Sequence, residues 1–185
     1  MDPLLIDIPS QLISERLILR TPRAGDGSIV CASVRQSLAE LKQWMPWASD
    51  EYNEQDSEQW CRRAAAHFIT REELQFAIFL GNEETHLGSI GAFKFDWAVP
   101  KCEIGYWLRS DYCGRGLMSE AVNALSEFLV NILQFNRLEI HCDERNARSS
   151  AVALRCGFAL EGKLRNECRR GDNSLRNTLV YAKIA

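Results

Sequence analysis

The segment with the most chemical content is EIGYWLRSDYCGRG, Glu103 to Gly116, which runs directly into a helix-patterned stretch from Leu117. A strand-like run ends, a short loop supplies Gly114 and Gly116, and a long helix begins at once. The first amides of a helix have no partner inside it, and the helix dipole adds positive potential at the same end. Glycine lets the backbone come close to a bulky anion, so the arrangement suits a pyrophosphate cradle. The same glycines would also serve a tight strand-to-helix turn that binds nothing. It is not a Walker loop, since no Gly-Lys-Ser/Thr follows, and the dinucleotide fingerprint is incomplete. A second helix start, Asn146-Ala147-Arg148-Ser149, follows the strand-like NRLEIHCD and leads to Cys156-Gly157-Phe158.

These residues are set in a chain of 185 residues, 46 % hydrophobic and 25 % charged, which fits one globular domain over residues 1–185. A net charge of −3 concentrates no positive surface against phosphates, so no nucleic-acid partner is expected. The seven cysteines form no C-x-x-C pair, and several lie in apolar runs, which reads as free thiols in a reducing compartment. Three histidines without metal-site spacing imply no metal. The N-terminus MDPLLIDIPSQL has no basic region followed by a long apolar stretch, and no apolar run is long enough to span a bilayer. A cytoplasmic protein without a membrane partner is therefore expected.

Period-two alternation predicts strands at Arg16–Thr21, Gln75–Leu80, Leu87–Phe95, Cys102–Arg109, Asn136–Cys142, Phe158–Cys168 and Leu175–Ile184. Turns are expected at 81–84 and 170–173. Helical spacing predicts helices over Gly25 to about Lys42 (in two pieces), Asn53 to about Arg71, Arg115–Leu133 and Ala147–Cys156. Pro46 interrupts the first of these after Met45. The acids Glu54, Asp56 and Glu58 suit the N-terminal end of the second. The order predicts a mixed α/β sheet with helices on its faces.

The strand EIGYWL, the YCGRG loop, the N-x-x-S helix start and the closing Cys156-Gly157-Phe158 together resemble the GNAT acyltransferase superfamily. SERLILR (Ser14–Arg20), WMPW (Trp44–Trp47), EIGYWL and G-F-x-x-E-G (Gly157, Phe158, Glu161, Gly162) are similar to its RimJ/RimL branch of N-terminal acetyltransferases. The resemblance covers residues 14 to 184, with five motifs in register. It implies a mostly antiparallel sheet of about seven strands, flanked by helices on both faces and split between two central strands, Cys102–Arg109 and Asn136–Cys142, to receive acetyl-CoA in a V-shaped opening. Main-chain groups of Trp107, Leu108 and Arg109 would pair with the pantetheine arm like an added strand. Amides of Gly114, Arg115, Gly116, Leu117 and Met118 would hold the pyrophosphate, and Asn146 would bond the pantetheine.

Two positions depart from the superfamily pattern. Asp111 stands where a basic residue usually opens the loop, and Ala153 stands where a tyrosine general acid is common. In RimL-like proteins the serine of N-x-x-S is thought to serve the leaving thiolate, which points to Ser149; a helix-cap hydroxyl is the plainer alternative. Acetyl transfer to an amine also needs a base, and Glu103, at the head of the cofactor strand, is the first choice. Main-chain N–H groups near Tyr106 to Leu108 would polarise the thioester carbonyl. Glu139 and His141 are expected on opposite faces of the next strand, so that only one reaches the cleft. His141 has a pKa suited to base work, with a hydrogen-bonded core histidine as the plainer reading.

Trp44, Trp47 and Trp60, with Met45 and the acids Asp50, Glu51, Glu54 and Asp56, would cover the acceptor side, or else be core tryptophans beside a solvated face. Arg165, Arg169, Arg170 and Arg176 read as a solvated basic cluster. The resulting expectation is direct transfer of an acetyl group from acetyl-CoA to a primary amine, most readily a protein N-terminus, in a possible homodimer. The alternatives are a small-molecule amine acetyltransferase and a non-catalytic acyl-CoA-binding module. A cysteine nucleophile, Cys113 or Cys142, is a further and weaker alternative.

Overall fold

Eight strands and five α-helices form in the computed structural model, which describes residues 2–81, 84–170 and 173–185. The strands are β1 (Gln11–Ile13), β2 (Leu17–Arg20), β3 (Leu74–Leu80), β4 (His86–Asp96), β5 (Lys101–Leu108), β6 (Arg137–Asp143), β7 (Ala159–Arg169) and β8 (Leu175–Ile184). The helices are α1 (Gly27–Gln36), α2 (Leu38–Leu41), α3 (Glu54–Thr70), α4 (Leu117–Asn131) and α5 (Ala147–Arg155). The strands make one sheet in the order β1-β2-β3-β4-β5-β6-β8-β7. The expected order of elements is present throughout, with one strand more. β1 is three residues long with no buried position, so it lacks the alternation that reveals a strand in sequence. Residues 82–83 and 171–172, inside the two expected turns, lie outside the described residues.

Alternation along the strands divides the core. On one face Leu17, Leu19, Phe76, Ile78, Ile90, Ile104, Leu138 and Ile140 pack beneath Leu117, Ala121, Leu125 and Leu129 of α4. On the other, Val30, Val34 and Cys61 of α1 and α3 pack with Trp107 of β5. α3 starts on a capping box: Asn53 Oδ1 accepts from the amides of Gln55 and Asp56, and Asp56 accepts from the amide of Asn53.

Every neighbouring pair of strands is antiparallel except β5 and β6. That parallel pairing covers only Lys101–Glu103 against Arg137–Glu139. β5 then continues to Leu108, bonded to β4, while β6 continues to Asp143, bonded to β8. The sheet opens into a V between them. All seven cysteines are free thiols.

Candidate active site

The V is part of a cleft of about 1640 Å³ that passes through the sheet. Residues of β5 alternate between its two sides. Ile104 and Tyr106 face the α4/α5 side together with Ile140 and Cys142 of β6. Glu103 and Trp107 face the α1/α3 side, where the cleft is also lined by His141 and by Trp44, Trp47 and Trp60.

The α4/α5 side begins at the glycine loop. Gly114 and Gly116 both have φ of +78°, the left-handed region that costs other residues about 1–2 kcal/mol. Gly116 is the N-cap of α4 and has no side chain to give its amides. The first backbone bond runs from the Glu120 amide to Gly116 O at 3.0 Å, so the amides of Leu117, Met118 and Ser119 find no partner within the helix. Asp111, the unexpected acid of the loop, is held by Arg109 at 2.8 Å, and the adjacent guanidinium keeps its carboxyl below the usual range. Arg109 and Arg115 both lie over the Tyr112 ring, 4.8 Å from its centroid.

Arg16 contributes from the far end of the chain. It bonds Glu120 Oε2 at 2.7 Å and Arg115 O at 3.0 Å, and Ser14 Oγ donates to Glu120 Oε1 at 2.7 Å. The SER triplet therefore ties the loop to β2 and brings a guanidinium to within 3.6 Å of where a Gly116 side chain would begin. The sequence shows this motif but not its target.

On β5, Arg109 N–H donates to Leu87 O at 2.7 Å. Antiparallel alternation then turns the main chain of Trp107 towards β4 as well, and leaves that of Tyr106 and Leu108 facing the opening. Of the three residues expected to pair with a ligand, Leu108 presents free main-chain groups, and Tyr106 joins it.

Across the V, Asn146 Oδ1 caps α5 by accepting from the Ser149 amide at 3.1 Å. The cap is thus Asn146, and the Ser149 hydroxyl is left for other use. Ser149 Oγ lies 3.1 Å from the Tyr106 hydroxyl, which also reaches Ser149 O at 3.3 Å. Burial pushes the Tyr106 phenol up, so it stays protonated. The sequence points to the main chain of Tyr106 but not to its hydroxyl, because nothing local to EIGYWL indicates a contact with residue 149. Burial likewise raises the Cys113 thiol, whose Sγ donates to Arg109 O. Cys142 and His141 are consecutive on β6 and point to opposite faces, so neither cysteine is set up as a nucleophile.

On the α1/α3 side Glu103 has a side chain only 13 % exposed, with Lys94 Nζ at 2.8 Å and His141 Nδ1 at 3.3 Å. His141 Nε2 bonds Glu139 Oε2 at 2.8 Å. The expectation that Glu139 and His141 face opposite ways is overturned: residues two apart in a strand share a face, and these two touch. Trp47 lies 5.6 Å from Tyr52 and 6.2 Å from Trp107 between ring centroids. Trp44 is partly buried and Trp47 exposed, and both border the cleft with Glu51 and Asp56.

The arginines of the C-terminal strands are not simply solvated. Arg169 and Arg176 line the cleft, and Arg170 bonds buried Asp143 at 2.9 Å. Among the described residues no group of side chains is arranged to hold a metal ion. No described helix is long and apolar enough to cross a membrane.

The family described as acetyltransferase (GNAT) domain matches residues 16–159. The chain belongs to the GNAT acetyltransferases. The ribosomal-protein-serine acetyltransferase of Escherichia coli (strain K12) is 30 % identical over 148 residues, covering 78 % of this chain and 79 % of that protein. Two solved structures show the same GNAT fold. The microcin C7 self-immunity acetyltransferase MccE, in complex with acetyl-CoA and AMP, has a TM-score of 0.88 at 24 % identity, covering 96 % of this chain and 98 % of that one. RimL, the ribosomal L7/L12 alpha-N-protein acetyltransferase in complex with coenzyme A, has a TM-score of 0.86 at 23 % identity, covering 96 % and 97 %. This GNAT enzyme therefore has the expected architecture: helices on both faces of a mostly antiparallel sheet that parts between two central strands.

Proposed function

We propose that this protein transfers the acetyl group of acetyl-CoA directly to the N-terminal amine of a protein, of which a ribosomal protein is the leading candidate. The observation that carries the reading is the division of one cleft by β5. Backbone amides and Ser149 lie on one side, and Glu103 with the tryptophans on the other, so donor and acceptor can meet only at the opening itself.

In this reading the amides from Gly114 to Met118 hold the pyrophosphate, and the free edge of β5 at Tyr106 and Leu108 pairs with the pantetheine amides. The N–H groups of that edge polarise the thioester carbonyl. Glu103 removes a proton from the acceptor ammonium, directly or through one water. The free amine attacks the carbonyl carbon and the C–S bond breaks; the Ser149 hydroxyl, backed by Tyr106, gives its proton to the departing thiolate and takes up the second proton of the attacking nitrogen, leaving a neutral amide, a neutral thiol and Ser149 as it began. Asn146 orients Ser149 by fixing the first turn of α5. Trp44 and Trp47 border the acceptor, and His141 lies beside Glu103.

A small-molecule amine is the second reading, favoured by the acids Glu51 and Asp56 that line the cleft beside Trp60 and would suit a cationic amine. The test is free-thiol release from acetyl-CoA with peptides beginning with Ser, Ala, Met and Thr, set against polyamines, aminoglycosides and amino acids. Release that depends on peptide and falls as the peptide is shortened supports the first reading. Release with small amines alone selects the second. Acetyl-CoA binding seen as a thermal shift, with no turnover on any amine, leaves a binding module.

A further inference from the structure

Each turnover of the proposed reaction leaves one proton in excess. An ammonium and a thioester become an amide and a neutral thiol, so one proton must reach bulk water. Glu103 receives it, yet Glu103 is nearly enclosed before any ligand arrives, and an acceptor in the cleft covers it further. A route that avoids both ligands is therefore needed.

The side chains of β6 supply one. His141 Nδ1 is 3.3 Å from Glu103 Oε2, and His141 Nε2 is 2.8 Å from Glu139 Oε2. Glu139 in turn meets Arg137 at 2.6 Å, and Arg137 meets Glu161 of β7 at 2.6 Å. Exposure rises along this row, from 13 % at the Glu103 side chain through 20 % at His141 and 23 % at Glu139 to 43 % at Glu161. The row crosses from β5 to β6 at the foot of the V: Glu103 and Glu139 are the last paired residues, and His141 stands two residues beyond them on β6. On the other neighbour of β6, β8, the residues opposite Glu139 and His141 are Ala182 and Val180, which carry no charge. The charged groups around the imidazole are thus Glu103 with its partner Lys94, and Glu139 with Arg137 and Glu161.

We infer that Glu103, His141 and Glu139 form a proton exit from the cleft, with His141 as the relay and Glu139 as the positioning residue that delivers the proton to water at the β6–β7 surface. This rests on the reading of Glu103 as the base. Glu139 accepts from His141 Nε2–H, which fixes the tautomer with Nδ1 free to accept. When Glu103 passes its proton to Nδ1, the imidazole releases the one on Nε2 to Glu139, and Glu139 passes it to solvent. Loss of the Nδ1 proton to water and uptake of one from water at Nε2 then restore the starting tautomer, with no net change in protons on the ring. Burial raises the Glu139 carboxyl, but its bonds to Arg137 and His141 outweigh that and hold it below its ordinary range, so Glu139 is ionised before each turnover and gives up a received proton readily to water.

The experiment compares full-length wild type, Glu103→Gln, Glu139→Gln and His141→Gln in steady-state thiol release with an active peptide from the acceptor panel. Each is run from pH 6 to 9 at low buffer and then with added imidazole or its methylated derivatives. Glu139→Gln keeps a hydrogen-bonding side chain beside His141 and leaves the Arg137–Glu161 pair intact. Binding of acetyl-CoA by thermal shift reports that each variant is folded. The expected result is a kcat about tenfold lower for Glu139→Gln and for His141→Gln at low buffer, with KM for acetyl-CoA unchanged. Rate should return as buffer concentration rises, and the solvent isotope effect on kcat should exceed that of wild type. Wild-type kcat in Glu139→Gln, or a loss that no buffer restores, overturns the exit route. Full activity in Glu103→Gln instead removes the base reading and the relay with it, so the two failures are distinct.

Discussion

The two sides of β5 solve different problems with different materials. In the proposed reading the working groups on the α4/α5 side are mostly main chain: amides at the start of α4, the edge of β5 at Tyr106 and Leu108, and one hydroxyl pair, Tyr106 with Ser149. On the α1/α3 side they are side chains drawn from distant segments, with Trp44 and Trp47 before α3, Glu103 on β5 and His141 on β6. A backbone cradle depends on φ angles and strand ends and tolerates many side chains. A surface of aromatic and ionised groups is chemically particular and can be altered without touching the cradle. The donor side should therefore be the fixed half of this enzyme and the acceptor side the adjustable one.

The strongest way to break that comparison is at Glu103. Glu103→Gln should lower kcat by about a hundredfold or more while acetyl-CoA binds as before, measured by thiol release and by calorimetry. A matching loss of acetyl-CoA affinity would mean the two sides are not separable.

Trp107 walls the acceptor side, and behind it His86 is buried with ring centroids 5.8 Å from Trp107 and 5.3 Å from Phe79. Desolvation lowers the His86 pKa from 6.5 to about 4. The unfolded chain therefore takes up a proton near pH 6.5 that the native protein refuses. Stability is complete above that value and declines as pH falls towards 4. The shift corresponds to about 3 kcal/mol, which urea midpoints between pH 7 and 4 would register and which His86→Phe should largely remove.

On the donor side, Gly116→Ala imposes left-handed strain of about 1–2 kcal/mol at the helix start and should weaken acetyl-CoA roughly tenfold. The KM for the acceptor peptide should not move. The smallest effect is expected at exposed Trp47, where replacement by Ala should raise acceptor KM about fivefold and leave acetyl-CoA binding alone. A reversed pattern in this last pair would assign the tryptophans to the donor.

Much of the fold was legible because its signals are local. Alternation in CEIGYWL and 3.6-residue spacing after Leu117 report burial on one side of an element, and glycine at 114 and 116 reports a backbone that must turn left-handed. β1 escaped because three residues carry no period. At the site, the helix start at Asn146–Ser149 and Glu103 at the strand head follow from position in the chain, whereas the cap proved to be Asn146 and not the Ser149 hydroxyl. The partners of those residues do not follow from position. That Arg16 holds Glu120, that Tyr106 reaches Ser149, and that Glu103, His141 and Glu139 stand in a row each join segments far apart in sequence.

The sequence by itself determined the order of elements, the left-handed glycine turn at the start of α4 and the membership in its superfamily, since each is written in the types and spacing of neighbouring residues. The resemblance implied that β5 and β6 part; only the tertiary structure decided that they do so after Glu103 and Glu139. That depends on which strands pair with β4 and β8, a competition between non-local hydrogen bonds that no single segment encodes. The parting in turn decides which side chains see each other across the opening, and so whether the carboxylates and the imidazole act as separate groups or as one path.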